Sequence, residues 1–194
     1  MSADKLEVVD GLSLPEEYRA LLQPNELLTG DDGRAHRRPR FFYSLGSWPA
    51  AHEIRLAPHF KLAELIIVDC READLLLRTF PHYVPCAIAL LAGYLEAFRR
   101  AANASVFVSA NGGYRSPAHR RNPGRKSMHA WGTAADIYRV GDSYLNDEKS
   151  IARYAEIAQS LGQAVQVRPY REGDDHLHLD LGFLTVTPNE CSEA

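Results

Sequence analysis

The sequence predicts an α+β protein in which a small antiparallel sheet packs against helices. Apolar side chains recur every three or four residues within 83–102, which is typical of a helix with one buried face. Residues 164–170 and 176–184 instead alternate apolar and polar side chains, which predicts two strands paired through the turn REGDD. The length of 194 residues suits one domain whose core is large enough to fold without cross-links.

The first 55 residues are expected to form an N-terminal extension with irregular structure. Within residues 1–55, the segment LPEEYRALL at 14–22 predicts a short helix. The charged, turn-rich segment 30–40 predicts a loop. The aromatic segment FFYSLGSW at 41–48 is expected to pack onto the main body of the protein.

A compact domain is expected over residues 56–184, followed by a C-terminal tail at 185–194. Pro85 suits the first turn of the helix within 83–102, because proline lacks the amide hydrogen that a helix start leaves unpaired. The other elements predicted in this domain are a strand at 105–110, a long basic loop at 112–127 and a helix at 151–161 closed by Gly162.

The composition excludes several classes of function. A net charge of −3 does not provide the basic surface that nucleic-acid binding requires. No apolar run approaches the ~20 residues that span a bilayer, and the first residues lack a signal-peptide pattern, so the sequence as it stands predicts a cytoplasmic protein. Cys70, Cys86 and Cys191 are far apart, which indicates neither a disulfide framework nor a thiolate metal site.

Two short motifs place metal-ligand side chains in the predicted sheet. In HLHLD, the side chains of His176, His178 and Asp180 share one face of a strand, while the intervening leucines share the other. An exposed edge strand would also account for this pattern. The earlier motif SMHAWGTAAD makes a metal site more favourable, because small residues separate His129 from Asp136 and allow both side chains to converge. Two imidazoles and a carboxylate are the three ligands of an open catalytic zinc site.

These motifs resemble those of a known enzyme family. SANGGYRSPAHRRN, SMHAWGTAADIY and HLHLDLG are similar to the motifs of the zinc D-alanyl-D-alanine carboxypeptidases and endopeptidases. That family shares its fold with the metal-binding domain of hedgehog signalling proteins. The resemblance covers about 56–184, where LAPHFKLAEL also matches. It implies a hedgehog/DD-peptidase-like fold in which the small antiparallel sheet carries the metal site.

The resemblance also implies a role for each residue of the motifs. One zinc ion would be bound, and the remaining histidine of HLH would assist catalysis. The implied zinc ligands are His129, Asp136 and His178, the implied catalytic residues are His176 and Arg115, and Arg115 and Ser127 would face the substrate. Independently of the resemblance, the carboxylate of Asp180 is expected to orient a ligating imidazole. The segment before YRS is longer than the family's usual turn. No acidic general base is identified among Glu172, Asp174 and Asp175.

The function expected from these residues is hydrolysis of an amide bond by a zinc-dependent peptidase. By resemblance, its substrates are D-amino-acid-containing peptides of the peptidoglycan type, with no nucleic acid or membrane as partner. One alternative is a non-catalytic zinc-containing binding module of the same fold. Another is a phage-type endolysin, which a holin would release. Carboxypeptidase or endopeptidase action and the oligomeric state are left open by the sequence.

Overall fold

The computed structural model of the protein describes residues 6–30, 33–109, 112–121, 126–162 and 165–189. It is a mixed α+β structure with antiparallel sheets, which confirms the predicted fold class. The helices are α1 (Glu16–Leu22), α2 (Trp48–Glu53), α3 (Leu62–Glu72), α4 (Ile88–Ala102) and α5 (Glu148–Ser160). No helix in these described ranges is long and apolar enough to cross a membrane.

A five-stranded antiparallel sheet forms the centre of the fold. Its strands are β8 (Val106–Val108), β9 (Ala134–Val140), β10 (Ser143–Tyr144), β11 (Gln166–Val167) and β12 (Leu177–Asp180). The longest strand, β9, pairs with β8, β10 and β12, and β11 pairs with β12. Leu177 and Leu179 of β12 are fully buried in the core, as the alternating pattern predicts. His178, which lies between these two leucines, projects from the opposite face of β12 and is partly buried.

A second antiparallel sheet joins the N-terminal residues to the compact domain. Strand β4 (Phe41–Leu45) lies between β1 (Glu7–Asp10) and β7 (His82–Pro85). The two-stranded pairs are β2 (Leu27–Thr29) with β3 (Ala35–Arg37), and β5 (Arg55–Ala57) with β6 (Phe60–Lys61). The expectation of irregular structure over 1–55 is therefore corrected, because β4 finds backbone partners on β7 and buries Phe42 and Leu45. The domain limits themselves stay a prediction.

The main core lies between α3, α4 and the five-stranded sheet. Leu91, Leu95 and Phe98 of α4 are fully buried, which confirms the apolar face predicted from their spacing. The helix begins at Ile88 rather than near residue 83, because Pro85 belongs to β7. Asn103 ends α4 in the left-handed conformation (φ 48°), with its backbone N–H directed to the last carbonyls of the helix.

Several predicted boundaries also shift. Helix α5 begins at Glu148, and the side chain of Asp147 caps it by accepting a hydrogen bond from the Ser150 amide at 3.0 Å. The residue that caps its C-terminal end is Leu161, in a right-handed conformation, so the prediction that Gly162 caps it is wrong. The strands predicted at 105–110, 164–170 and 176–184 form as β8, β11 and β12, each shorter than expected. Residues 110, 164 and 190–194 of the predicted strands and tail lie outside the described ranges.

Candidate metal centre

The pairing of two sheet strands brings Asp136 and His178 side by side. Their Cα atoms are direct partners in the antiparallel register of β9 and β12. Residues that face each other across an antiparallel pair project to the same side of the sheet. The Nδ1 atom of His178 therefore lies 2.7 Å from Oδ1 of Asp136.

A short 3-10 helix at Met128–Trp131 supplies His129. The Ser127 hydroxyl accepts a hydrogen bond from the His129 amide at 3.4 Å, and Gly132 ends the helix in the left-handed conformation (φ 69°). The His129 ring donates from Nδ1 to the carbonyl of Gly113 at 2.7 Å. This bond fixes the tautomer, so the lone pair of Nε2 points toward Oδ1 of Asp136, 3.3 Å away.

His129, Asp136 and His178 form a group able to hold a metal ion. One ligand atom from each residue lies within 4.8 Å of the others. Nε2 of His129 is buried and has no hydrogen-bond partner among the residues that the structure describes. A buried imidazole nitrogen without a partner is costly, and a metal ion would satisfy it. Two imidazoles with one carboxylate suit a divalent transition metal that keeps a further position open.

The three candidate ligands influence one another electrostatically. Burial alone would raise the pKa of Asp136, but the hydrogen bond and the positive charge of His178 oppose burial, and the pKa lies well below its usual range. Burial also lowers the pKa of His129, so this imidazole is neutral and able to act as a ligand. For His178, burial is outweighed by hydrogen bonds to Asp136 and Asp180, which raise its pKa to about 9.

The turn before Arg115 is packed tightly against the site. The Gly112 carbonyl accepts a hydrogen bond from the Asp136 amide at 2.8 Å. A Cβ atom at Gly112 would collide with the Asp136 backbone, and one at Gly113 would collide with the carbonyl of Leu65. Glycine is therefore required at both positions before YRS, because the backbone there approaches Asp136 and Leu65 too closely for a side chain.

Arg115 lies at the edge of the candidate ligand group. Its amide donates to the His129 carbonyl at 3.2 Å, and its Nη2 atom lies 3.9 Å from Oδ2 of Asp136. The Arg115 side chain is only 13% exposed. A guanidinium group is thus held beside the three candidate ligands, in a position to attract a negatively charged oxygen.

His176 lies immediately before β12, on the open side of the group. Its Nε2 atom is 3.7 Å from Oδ1 of Asp136, and its Nδ1 atom donates to the Asp175 carboxylate at 2.7 Å. Arg168 approaches Nε2 of His176 at 3.4 Å while it pairs with Asp174 at 2.9 Å. Of the three acidic residues considered from the sequence, Asp175 contacts His176 and Asp174 pairs with Arg168; the side chains of Asp175 and Glu172 are both exposed.

The two remaining predicted residues, Asp180 and Ser127, both contact a candidate ligand. Oδ2 of Asp180 lies 3.3 Å from Nε2 of His178, and its Oδ1 accepts from the Gly182 amide at 2.8 Å. Asp180 thus contacts the side of the His178 ring that faces away from Asp136. Ser127 acts on His129 through its backbone amide.

Asp136 and His178 on adjacent antiparallel strands, and His129 on the neighbouring 3-10 helix, form a candidate metal centre beside Arg115. The profile of the Peptidase M15 family matches residues 58–180, a range that contains all of these residues. The chain belongs to the Peptidase M15 family, which confirms the resemblance and implies a peptide substrate. Neither the curated proteins nor the solved structures gave a match.

Two residues near the site were missed from the sequence. Arg168 contacts His176 from the neighbouring strand end, and no spacing links them before the strands are paired. Asp69 of α3 contacts the turn that carries Arg115. The signal for Asp69 was present, since it continues the apolar spacing of Leu62, Leu65 and Ile66 and so falls on the buried face of its helix.

Proposed function

We propose that the protein is a zinc-dependent peptidase that hydrolyses an amide bond in D-amino-acid-containing peptides of the peptidoglycan type. The observation that carries this proposal is the convergence of His129, Asp136 and His178 beside Arg115 and His176. Membership of the Peptidase M15 family supports the reaction class. The substrate class rests on the resemblance of the YRS and SMHAWGTAAD motifs to those of D-alanyl-D-alanine peptidases.

The protein would hold the ion through Nε2 of His129, a carboxylate oxygen of Asp136 and Nδ1 of His178. Zinc in such a site polarises a carbonyl group and makes bound water acidic enough to ionise near neutral pH. The far nitrogen of each ligating ring is occupied by an acceptor: the Gly113 carbonyl for His129 and the Asp180 carboxylate for His178. Such contacts fix the orientation of the imidazoles and strengthen them as ligands.

Arg115 would bind the oxygen on which negative charge develops as the amide bond is attacked. Its guanidinium is largely buried beside Asp136, where a charge interacts more strongly than in water. The planar fork of donors suits a carbonyl oxygen or a terminal carboxylate. Because charge on this oxygen increases in the transition state, the arginine stabilises that state more than the bound substrate.

His176 would transfer the proton that the reaction requires. Its Nδ1 hydrogen is directed to Asp175, so Nε2 carries the lone pair, which accepts a hydrogen bond from Arg168 at 3.4 Å and lies 3.7 Å from Oδ1 of Asp136. In this tautomer the ring accepts a proton from the attacking water and can return it to the leaving amine. The side chain is 26% exposed, which leaves it accessible to a bound peptide.

Digestion of purified muropeptides by the zinc-loaded protein, with products identified by mass spectrometry, tests the proposal. We expect loss of a terminal D-amino acid or cleavage of a cross-link, and abolition of either by a chelator. Glu96→Gln is a matched control, since this buried carboxylate on α4 contacts His59 and Arg99 rather than the site. Zinc-loaded protein that binds muropeptides without cleaving them would contradict the proposal and favour the binding-module alternative.

A further inference from the structure

We propose that Asp69 of helix α3 is a positioning residue, which holds the turn that carries Arg115 in place. This inference rests on the proposed function, because Arg115 is assigned its role there. Asp69 lies on α3, and its side chain is fully buried. Burying a carboxylate destabilises the folded protein unless its oxygens have hydrogen-bond partners. The contacts of Asp69 therefore indicate its role.

The first contact of Asp69 is a double hydrogen bond to Ser116, the residue after Arg115. Oδ1 of Asp69 accepts from the Ser116 amide at 2.6 Å and from the Ser116 hydroxyl at 2.8 Å. One oxygen thus fixes both the backbone and the side chain of the residue next to Arg115.

Helix α3 anchors the same turn a second time. The amide of Tyr114 donates to the Leu65 carbonyl at 2.6 Å, one helical turn before Asp69. Tyr114 itself is fully buried. The backbone amides of the residues before and after Arg115 are therefore both bound to α3, which fixes the turn that carries Arg115 relative to this helix.

The other oxygen of Asp69 faces His82 of β7. Nδ1 of His82 donates to the Leu77 carbonyl at 2.6 Å, so Nε2 is the atom that faces Oδ2 of Asp69, 3.5 Å away. An asparagine at position 69 would keep the acceptor for Ser116, and its amide could donate to His82. Asp69→Asn therefore preserves the geometry, whereas Asp69→Ala removes it.

The test is a double-mutant cycle between Asp69 and Arg115 in the zinc-loaded protein. Asp69→Ala should lower kcat/KM by ~10²-fold, the usual cost of displacing a group by about 1 Å, and leave zinc content unchanged. In an Arg115→Ala background the same change should cost less than about twofold, because the residue acts through Arg115. Asp69→Asn should stay within about threefold of its parent protein in either background.

Other outcomes would overturn the inference. Equal losses in both backgrounds, or zinc loss that parallels the loss of rate, would show that Asp69 does not act through Arg115. If Asp69→Ala does not fold, Ser116→Ala is used in its place. A loss of kcat/KM that is equally large in the Arg115→Ala background would again overturn the inference. Should the wild type cleave no peptide, the proposed function fails, but ¹⁵N relaxation of the Arg115 Nε–H group still tests Asp69. The order parameter of this N–H group should fall in Asp69→Ala or Ser116→Ala and stay at the wild-type value in Asp69→Asn. An unchanged order parameter in the alanine variants would overturn the positioning role.

Discussion

Zinc and a proton should compete for His178. Both ring nitrogens of His178 face carboxylates, Asp136 at 2.7 Å and Asp180 at 3.3 Å. Burial disfavours the charged ring, but these two contacts outweigh it and raise the pKa to about 9. A metal binds only the deprotonated nitrogen, so metal binding at neutral pH must release the proton. Zinc affinity is therefore expected to weaken as the pH is lowered.

The size of this effect follows from the pKa. With a pKa of about 9, only ~1% of the His178 rings are neutral at pH 7. The apparent dissociation constant for zinc should then be ~100-fold higher at pH 7 than well above pH 9, a difference of ~2.7 kcal/mol. His129 adds little over this range, because its lowered pKa keeps it neutral.

The assay is a titration of zinc between the apoprotein and a chelator of known affinity at each pH. Between about pH 7 and about pH 9 the dissociation constant should change roughly tenfold per pH unit. Asp180→Asn is the matched control, because it removes one of the two carboxylates and so lowers the pKa of His178. The pH range over which the zinc dissociation constant changes steeply should then move to lower pH. An affinity that is constant over this range, or an identical profile for Asp180→Asn, would refute the reasoning.

The remaining predictions concern single substitutions, each compared with the wild type for zinc content, melting temperature and turnover. His178→Ala should lose zinc and, with it, the stabilisation that the bound metal gives the native state. His176→Ala should keep zinc and lose ~10²–10⁴-fold in rate, the usual size of an acid–base contribution. Zinc loss in His176→Ala with retention in His178→Ala would reverse their roles, and equal loss in both would indicate four protein ligands. Arg115→Ala should keep zinc and lower turnover sharply; unchanged kinetics would place this arginine outside the site.

The predicted parts of the fold are those in which local pattern reflects burial. The alternation in β12 and the helical spacing in α4 follow from one buried face each, so both were predicted. The sheet formed by β1, β4 and β7 was missed, because its stability comes from pairing between segments far apart in the chain. Helix α4 was predicted to start too early for the same reason, since pairing with β4 draws Pro85 into a strand.

The same distinction applies to the candidate site. The spacing within two motifs predicted His129, Asp136 and one histidine of HLH as candidate ligands, and the family resemblance selected His178. The contacts made by Asp69 and Arg168 depend on which segments the fold brings together, and Asp69 is 47 positions from Ser116. A carboxylate on the apolar face of α3 is nevertheless visible in the sequence, and such residues are worth considering as supports of a site.

The central claim is that His129, Asp136 and His178 together hold one zinc ion. Anomalous X-ray scattering from crystals of the zinc-loaded protein, recorded on both sides of the zinc absorption edge, tests it directly. We predict a single strong peak at ~2.0–2.2 Å from Nε2 of His129, an Asp136 carboxylate oxygen and Nδ1 of His178, with His176 outside that distance. The absence of a peak among these three residues, or a peak that His176 also ligates, would contradict the account.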